Sequence, residues 1–376
     1  MRGVYLSYVS CEGRKKLVPR LEEHVILSDL GEYDVLIQVK ACALRRIDTK
    51  TFCELLPNIA QLPVGFEISG TVTRVGSAVQ RLLVSQDVVG LLPLDTESPG
   101  CAEYCIVPEY NLVPKPRSLS HVDAAAILAP ALKAYTALYH HASRLGPKTT
   151  VMVLSAASAD GQVVVQLCEV LETKVIAVVT SADEAMLLTK SYPSLTRIID
   201  LSSCKSLVTS CLQETGGLGV NCIIDAGVQP SYSLSDFIIE SPLLRQQLET
   251  EGYRHGYESA PPTTLCPTKH QLISCLAAHG CWITTQPDLQ LDPPDSQLLF
   301  LKGASVHFLF VSVWLLSGDE QGTVLDMLTD IVKKAESRQL RPLITRTVTL
   351  DEVCELLPRL GTASVVMRSD QKLQGQ

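Results

Sequence analysis

The sequence predicts an α/β protein with two domains, a barrel-like all-β domain followed by a doubly wound parallel sheet. The chain has 376 residues, which is comfortable for two domains. Its first 120 residues consist of short strands separated by turns. From about residue 150, apolar strands alternate with helices over short connections, which is the pattern of a parallel doubly wound sheet.

The first domain is predicted from two β-rich stretches. "DVLIQVKACAL" (34–44) is rich in strand-forming residues, and "EISGTVTRVGSAV" (67–79) alternates apolar with small or polar residues. We expect turns at Gly70 and Gly76. Residues 1–120 are therefore expected to form a barrel-like module.

The second domain begins with an alanine-rich helix, "HVDAAAILAPALKAYTALYHHA", from residue 121. The predicted strands that follow are "VMVL" (151–154), "KVIAVV" (174–179), "RIID" (197–200) and "VNCIID" (220–225). Three helices are predicted between them: the first ends near residue 171, the second begins near residue 183, and the third covers 207–214. Residues 229–266 form a polar interruption, expected to be either functional or disordered. The β/α pattern then resumes, with a helix at 319–336 and a strand–helix–strand tail.

Composition excludes several classes of protein. The net charge is −8, from 32 basic and 40 acidic residues, and no basic run is long enough to favour direct nucleic-acid binding. Thirteen cysteines without a CxxC pair are typical of reduced thiols in the cytoplasm. The N-terminus lacks the apolar region of a signal peptide. The apolar run "VHFLFVSVWLL" (306–316) is too short to span a membrane and is interpreted as a buried strand or core.

A candidate cofactor loop lies in "LSAASADGQVVVQL" (154–167), between a predicted strand and a predicted helix. Small residues at this point allow a dinucleotide's pyrophosphate to approach the backbone and the helix N-terminus. An NAD site also needs an acid at the end of the second strand, but that strand ends in Thr180 and Ser181, so any preference should be for NADP. Ser181 with Glu184 fits a capping box. Lys190 either approaches a 2′-phosphate or lies on a solvated helix face.

Two longer stretches carry a family resemblance. "VGFEISGTVTRVGSAVQRLLVSQDVVG" and "ETGGLGVNCIIDAG" resemble the medium-chain dehydrogenases/reductases, most closely the zinc-free quinone oxidoreductase (zeta-crystallin-like) branch. The resemblance implies a GroES-like barrel at 1–120, completed by 313–376. It also implies a Rossmann-type nucleotide-binding domain at 121–312, with the long loop at 229–266.

The cofactor loop departs from this branch, whose usual sequence is A-S-G-G-V-G. The matching residues are Ala157, Ser158, Ala159, Asp160 and Gly161. Asp160 places a carboxylate where the pyrophosphate charge should lie, or it simply stabilises the helix dipole. In either case the loop should bind phosphate more weakly than its relatives do.

The resemblance also assigns the remaining site residues. Arg45 stands where the branch has a catalytic-loop Asn, so it binds an anionic substrate, binds the cofactor phosphates or points to solvent. Thr136 matches a helix beside the cofactor, and Asp225 and Gly227 follow a strand at the cofactor-binding edge.

No metal is expected. Phe66 stands at the position of the histidine ligand of zinc-dependent relatives, and phenylalanine cannot ligate zinc. Cys42 lies near the position of another ligand, but it is interpreted as part of the core.

Two functional hypotheses follow. One is an NADPH-dependent, zinc-free reductase of quinones or enones. The other, which the altered loop and Arg45 favour, is a pseudoenzyme that acts as a scaffold. A branch member that the chain resembles, notably in "LQLDPPDS" and "FLKGA", is regarded as a subunit of an early-endosomal Rab-effector complex that supports mRNA transport. Under either hypothesis a homodimer paired through residues 304–310 is expected.

Overall fold

The chain forms two compact units. The computed structural model describes residues 1–11, 14–45, 61–142, 145–225, 266–316, 318–360 and 365–369. The first unit comprises Met1–Thr136, Ser158–Leu167 and Phe310–Gln376, and the second comprises Ala137–Ala157 and Cys168–Leu309. The predicted boundaries near residues 120 and 312 stay a prediction.

The first unit contains the predicted β-rich module. Its strands are β1 (Gly3–Cys11), β2 (Arg14–Glu22), β3 (Asp34–Leu44), β4 (Gln61–Pro63), β5 (Glu67–Val75), β6 (Asp87–Leu91), β7 (Tyr104–Pro108), β8 (Leu112–Pro114), β15 (Arg346–Val348) and β16 (Val365–Arg368). One sheet has the order β2-β1-β4, and the larger has the order β15-β16-β3-β5-β6-β8, with β7 also paired to β3. All these pairs are antiparallel except β15 with β16.

Strand β3 organises this module because every second side chain enters the core. Val35, Ile37 and Val39 are fully buried along one face of the strand. Gly70 lies inside β5 rather than in a turn, so the predicted turn there is wrong. A Cβ at Gly70 would lie 2.2 Å from the Gln38 carbonyl oxygen, so only glycine permits this approach of the two backbones.

The first unit also contains helices. They are α1 (His121–Tyr135), α7 (Val313–Leu316), α8 (Gln321–Glu336) and α9 (Val353–Leu356). Helix α1 begins where the Ser120 side chain accepts a hydrogen bond from the Asp123 N–H, and it packs on β3 and β5. It continues as a π-helical turn, Thr136–His141. Such irregular turns are frequent at functional sites.

The second unit is the predicted parallel sheet. Its strands are β9 (Thr150–Val153), β10 (Lys174–Val179), β11 (Arg197–Asp200), β12 (Val220–Ile224), β13 (Leu276–Thr284) and β14 (Ser305–Phe308). All are parallel, in the order β11-β10-β9-β12-β13-β14. After β9 the chain adds β10 and β11 on one side of that strand, and it then adds β12 on the other side. The topological switch point therefore lies between β9 and β12.

The helices of the β/α pattern are α2 (Ala159–Val170), α3 (Ala182–Ser191), α4 (Leu207–Glu214), α5 (Lys269–Cys275) and α6 (Pro293–Lys302). The core of the second unit contains fully buried Met152, Ile176, Ile223 and Trp282. Apart from Cys266, the predicted loop at 229–266 lies outside the described residues.

The interpretation of residues 306–316 as buried is wrong. Among the described strands β14 pairs only with β13, so its other edge is open and Phe308 is half exposed. The following segment forms the short helix α7 and exposes Val313 and Leu316. No helix in the described ranges has both the length and the apolar character that crossing a bilayer requires.

Candidate functional site

The loop after β9 is anchored to the ends of two neighbouring strands. The Leu154 N–H donates to the Ile224 carbonyl at 2.9 Å, and the Ala156 N–H donates to the Val178 carbonyl at 3.1 Å. Between them, Ser155 has a φ of +50°, in the left-handed region that favours glycine. The tight turn therefore lies at Ser155, two residues before Ala157, which is the first residue that matches the family loop.

The first turn of α2 uses its own donors. The Ser158 hydroxyl accepts from the Gly161 N–H at 3.0 Å, and the Ser158 carbonyl accepts from the Gln162 N–H at 2.9 Å. Ala159 and Asp160 lie between these positions and are half-buried. A phosphate at a helix N-terminus is held by free N–H groups of the first turn. The Gly161 donor is already engaged by Ser158.

Asp160 joins two cations at this helix start. Its Oδ1 lies 3.0 Å from Arg45 Nη1, and its Oδ2 lies 2.5 Å from Lys133 Nζ. Arg45 Nε in turn lies 3.4 Å from Glu67 Oε1. Arg45 directly follows β3, Lys133 lies on α1, and all four side chains belong to the first unit. Together they form an alternating chain of two cations and two anions, hereafter the ion cluster.

Burial and charge oppose each other in the ion cluster. Burial raises the pKa of Asp160, but Arg45 and Lys133 outweigh it and lower the pKa to about 2. Burial lowers the pKa of Arg45, while Asp160 and Glu67 raise it further, with a net upward direction. Burial raises the pKa of Glu67 and exceeds the opposing attraction of Arg45 and Lys133. Asp160 is thus a firmly ionised carboxylate.

The predicted roles of Arg45 can now be compared with its position. It binds Asp160 and contacts Glu67, and only 28% of its side chain is exposed. Its Nε is buried without a hydrogen bond, because the contact to Glu67 is ionic rather than directional. Arg45 therefore holds an anion of the protein itself.

Thr136 is buried, and its hydroxyl group already donates one hydrogen bond and accepts another. Its hydroxyl donates to the Leu132 carbonyl at 2.8 Å and accepts from Trp314 Nε1 at 2.9 Å. Trp314 lies on α7, in the same unit. A ligand that needs a donor from Thr136 would have to displace the bond to Leu132.

Asp225 is a buried anchor at the end of β12. Its Oδ2 accepts from Trp282 Nε1 and its Oδ1 accepts from the Thr284 hydroxyl at 3.0 Å. Only 3% of the residue is exposed. The neighbouring candidate, Gly227, lies outside the described residues.

The side chain of Glu184 reaches the C-terminal end of β10, although the strand itself contains no acidic residue. Glu184 Oε2 accepts from the Thr180 N–H at 2.8 Å and from the Thr180 hydroxyl at 3.0 Å. Ser181 caps α3 by accepting from the Glu184 N–H. The predicted capping box is thus present in a shifted form, because Glu184 reaches Thr180 instead of Ser181. Lys190 is exposed in the last turn of α3, about 12 Å along the helix from its start.

Metal ligands are not grouped in the parts of the chain that the structure describes, where no cluster of three or more suitable side chains occurs. Phe66 precedes the ion-cluster residue Glu67 and packs against the barrel core. Cys42 is fully buried in that core, and its burial raises the pKa of its thiol.

The structure therefore brings together Arg45 and Asp160, which the sequence singled out separately. Lys133, Glu67, Trp314 and other partners were missed. Arg45 and Asp160 lie 115 residues apart, so no local spacing pattern could pair them. The one available signal was chemical, an arginine and an acid that both replace neutral residues of the family pattern.

The first turn of α2 already contains an anion that is paired with Arg45 and Lys133. An ionised carboxylate lies at the first turn of α2, and the Gly161 donor there is satisfied by Ser158. Like charge at a site that must receive phosphate opposes binding.

Comparisons with known proteins agree with this architecture. Residues 31–117 match the alcohol dehydrogenase GroES-like domain. The chain is 39% identical to quinone oxidoreductase-like protein 1 of Mus musculus, over 94% of each chain. It is 32% identical to a quinone oxidoreductase-like protein 2 homolog of Nematostella vectensis, over 60% of each chain.

Solved structures share the fold at low identity. A mycobacterial quinone oxidoreductase aligns with a TM-score of 0.70 at 18% identity, covering 98% of this chain and 99% of that one. The CurK enoyl reductase aligns with a TM-score of 0.71 at 18% identity, with the same coverage. The GroES-like match, the parallel sheet and the full-length relative lead to one assignment: the chain belongs to the quinone oxidoreductase-like branch of the medium-chain dehydrogenase/reductase superfamily.

Proposed function

We propose that this protein is a non-catalytic or weakly active member of its branch that acts as a subunit of a protein complex. The observation that carries the proposal is the pairing of Asp160 with Arg45 and Lys133 at the start of α2. The side chain there is an ionised acid that two cations of the protein hold in place.

Like-charge repulsion from Asp160 disfavours a diphosphate at the first turn of α2. Two like unit charges about 4 Å apart repel by about 4 kcal/mol at the dielectric typical of a protein surface, and Arg45 and Lys133 offset part of this repulsion. A diphosphate entering this turn would meet Asp160 and would also have to take Gly161 N–H from Ser158. Binding of NADP(H) is therefore expected to be weak.

The proposed partners are protein subunits rather than nucleic acid or membrane lipid. The family resemblance suggests an early-endosomal Rab-effector complex that supports mRNA transport, which would bring a cytoplasmic protein to endosomes. Surface available for such contacts includes Phe300 and Leu301 on α6, which are 81% and 71% exposed. Contiguous exposed apolar surface is typical of interaction sites.

A second copy of the chain is part of the same proposal. Strand β14 has an open edge among the described strands, and Phe308 on it is half exposed. An exposed apolar strand edge offers unpaired N–H and C=O groups with which another chain can pair. We expect a dimer in sedimentation at micromolar concentration and a monomer for Phe308→Lys; a monomeric wild-type protein would contradict the dimer.

The second candidate function is an active, zinc-free NADPH-dependent reductase of quinones or enones. It is favoured by the strand order of the second unit, whose switch point between β9 and β12 is where such folds bind dinucleotides. Hydride transfer needs mainly the positioning of cofactor and acceptor, and it requires no nucleophile from the protein.

Thermal unfolding with millimolar NADPH or NADH separates the two candidates. A ligand at about 100 times its dissociation constant stabilises a protein by about 2.7 kcal/mol. The proposal predicts no shift with either dinucleotide and no quenching of the emission of Trp282 and Trp314. A clear shift would support the reductase and would call for assays with a panel of quinones.

A further inference from the structure

The ion cluster contains two cations that converge on one acidic group. Arg45 reaches it from the end of β3 and Lys133 from α1, and each takes a different oxygen of Asp160. Arginine and lysine that share an anion in this way form the arrangement by which proteins hold phosphate. Here the anion is supplied by the protein.

We infer that Arg45 and Lys133 form a latent binding site for a phosphate or diphosphate group, which Asp160 fills as an internal anion. The inference rests on the proposed function, because it explains why the wild-type loop binds dinucleotides weakly. Phosphate or diphosphate is thus the ligand class of Arg45 and Lys133, and Asp160 is the group that blocks their site.

Charge balance supports this assignment. The ion cluster has two positive and two negative side chains and is neutral when all four are ionised. Removing the Asp160 charge leaves a net charge of +1 beside the first turn of α2. Glu67 cannot replace the lost carboxylate in its present position, because it faces Arg45 Nε while Asp160 occupies Nη1.

Tethering explains why the internal anion prevails. A side chain fixed next to its partners acts at an effective concentration in the millimolar range or above. A free phosphate compound at lower concentration cannot displace it. Arg45 Nε, buried without a hydrogen bond, leaves donor capacity that a larger anion with more oxygens can use.

The test uses inorganic pyrophosphate as the probe, followed by NADPH. Binding to the wild-type protein and to Asp160→Asn is measured by calorimetry and by thermal shift at low and high salt. We expect the affinity of Asp160→Asn for pyrophosphate to exceed that of the wild-type protein about tenfold or more, and to fall with added salt. The double variant Asp160→Asn/Lys133→Met should lose the gain.

The matched control is Asp183→Asn, which removes an exposed acid from the first turn of α3 without touching the ion cluster. It should leave pyrophosphate affinity at the wild-type level. If Asp160→Asn does not fold, Asp160→Ser removes the same charge with a smaller polar side chain in the first turn of α2.

The outcomes separate this inference from the proposed function. A folded Asp160 variant without increased pyrophosphate affinity overturns the latent site, even if the wild-type protein binds no dinucleotide. Tight NADPH binding by the wild-type protein overturns the proposed function. Increased pyrophosphate affinity supports the latent site, and a parallel increase for NADPH shows that the site accepts the diphosphate of a dinucleotide as well as the free ion.

Discussion

Replacing Asp160 by asparagine should change stability in a pH-dependent manner. The substitution keeps the side-chain shape but removes the charge that joins Arg45 and Lys133. The pKa of Asp160 is lowered to about 2, against an ordinary value of 3.8, chiefly by these two cations working against burial. The folded state therefore favours the ionised carboxylate.

The magnitude follows from that pKa. A fall from 3.8 to about 2 corresponds to about 2.4 kcal/mol of stabilisation at neutral pH. Because 36% of the Asp160 side chain is exposed, solvent screening reduces the expected value to about 1 kcal/mol. A carboxylate with a lowered pKa stabilises the folded state above its unfolded value, and this contribution is lost as the pH falls through the folded value.

The assay is denaturant unfolding of the wild-type protein and of Asp160→Asn between pH 7 and pH 3. Fluorescence of Trp314 reports the unit that contains Asp160, and Trp282 reports the other unit. We expect a stability difference of about 1 kcal/mol at pH 7 that falls to about 0.3 kcal/mol near pH 3. A difference that stays constant over this range would refute the ion-pair account, and Asp183→Asn serves as the control acid.

Three further predictions concern other residues of the candidate site. Ser155→Gly should be more stable than Ser155→Ala by about 1 kcal/mol in denaturant unfolding, because glycine adopts the positive φ without strain, and equal stabilities would contradict this. Trp314→Phe and Thr136→Val should each cost about 1 kcal/mol, and a double-mutant cycle should show coupling through their shared hydrogen bond, whereas additive costs would argue against it. Glu184→Gln should destabilise the start of α3 by about 0.5–1 kcal/mol through its weaker bonds to Thr180, and an unchanged unfolding midpoint would exclude that role.

The regular elements of the second unit were predictable because parallel strands buried on both faces appear as uninterrupted apolar runs. Strands β10 and β11 and helix α4 have the predicted bounds. Each run is flanked by polar or turn-forming residues, so the local sequence predicts where it begins and ends. The mixed pairing of the first unit's sheets was not predictable, since it depends on contacts between distant strands.

Other features could not be inferred from composition. Residues 306–316 are apolar, yet hydropathy cannot tell an interior strand from an edge strand, and β14 is an edge among the described strands. Gly70 looked like a turn residue because glycine permits turns, but the approach of the Gln38 backbone requires it inside β5. In both cases the neighbouring strand, and not the residue itself, decides the outcome.

The candidate site shows why substitutions judged one at a time mislead. Asp160 alone is unfavourable for a phosphate-binding turn, and Arg45 alone is an unexpected charge with little exposure to solvent. In the folded protein each supplies the counter-ion of the other at 3.0 Å. Asp160 also pairs with Lys133 and Arg45 also contacts Glu67, so the ion cluster as a whole balances the charges of these partly buried side chains. The two departures from the family pattern are therefore best understood together, as the two members of one internal ion pair.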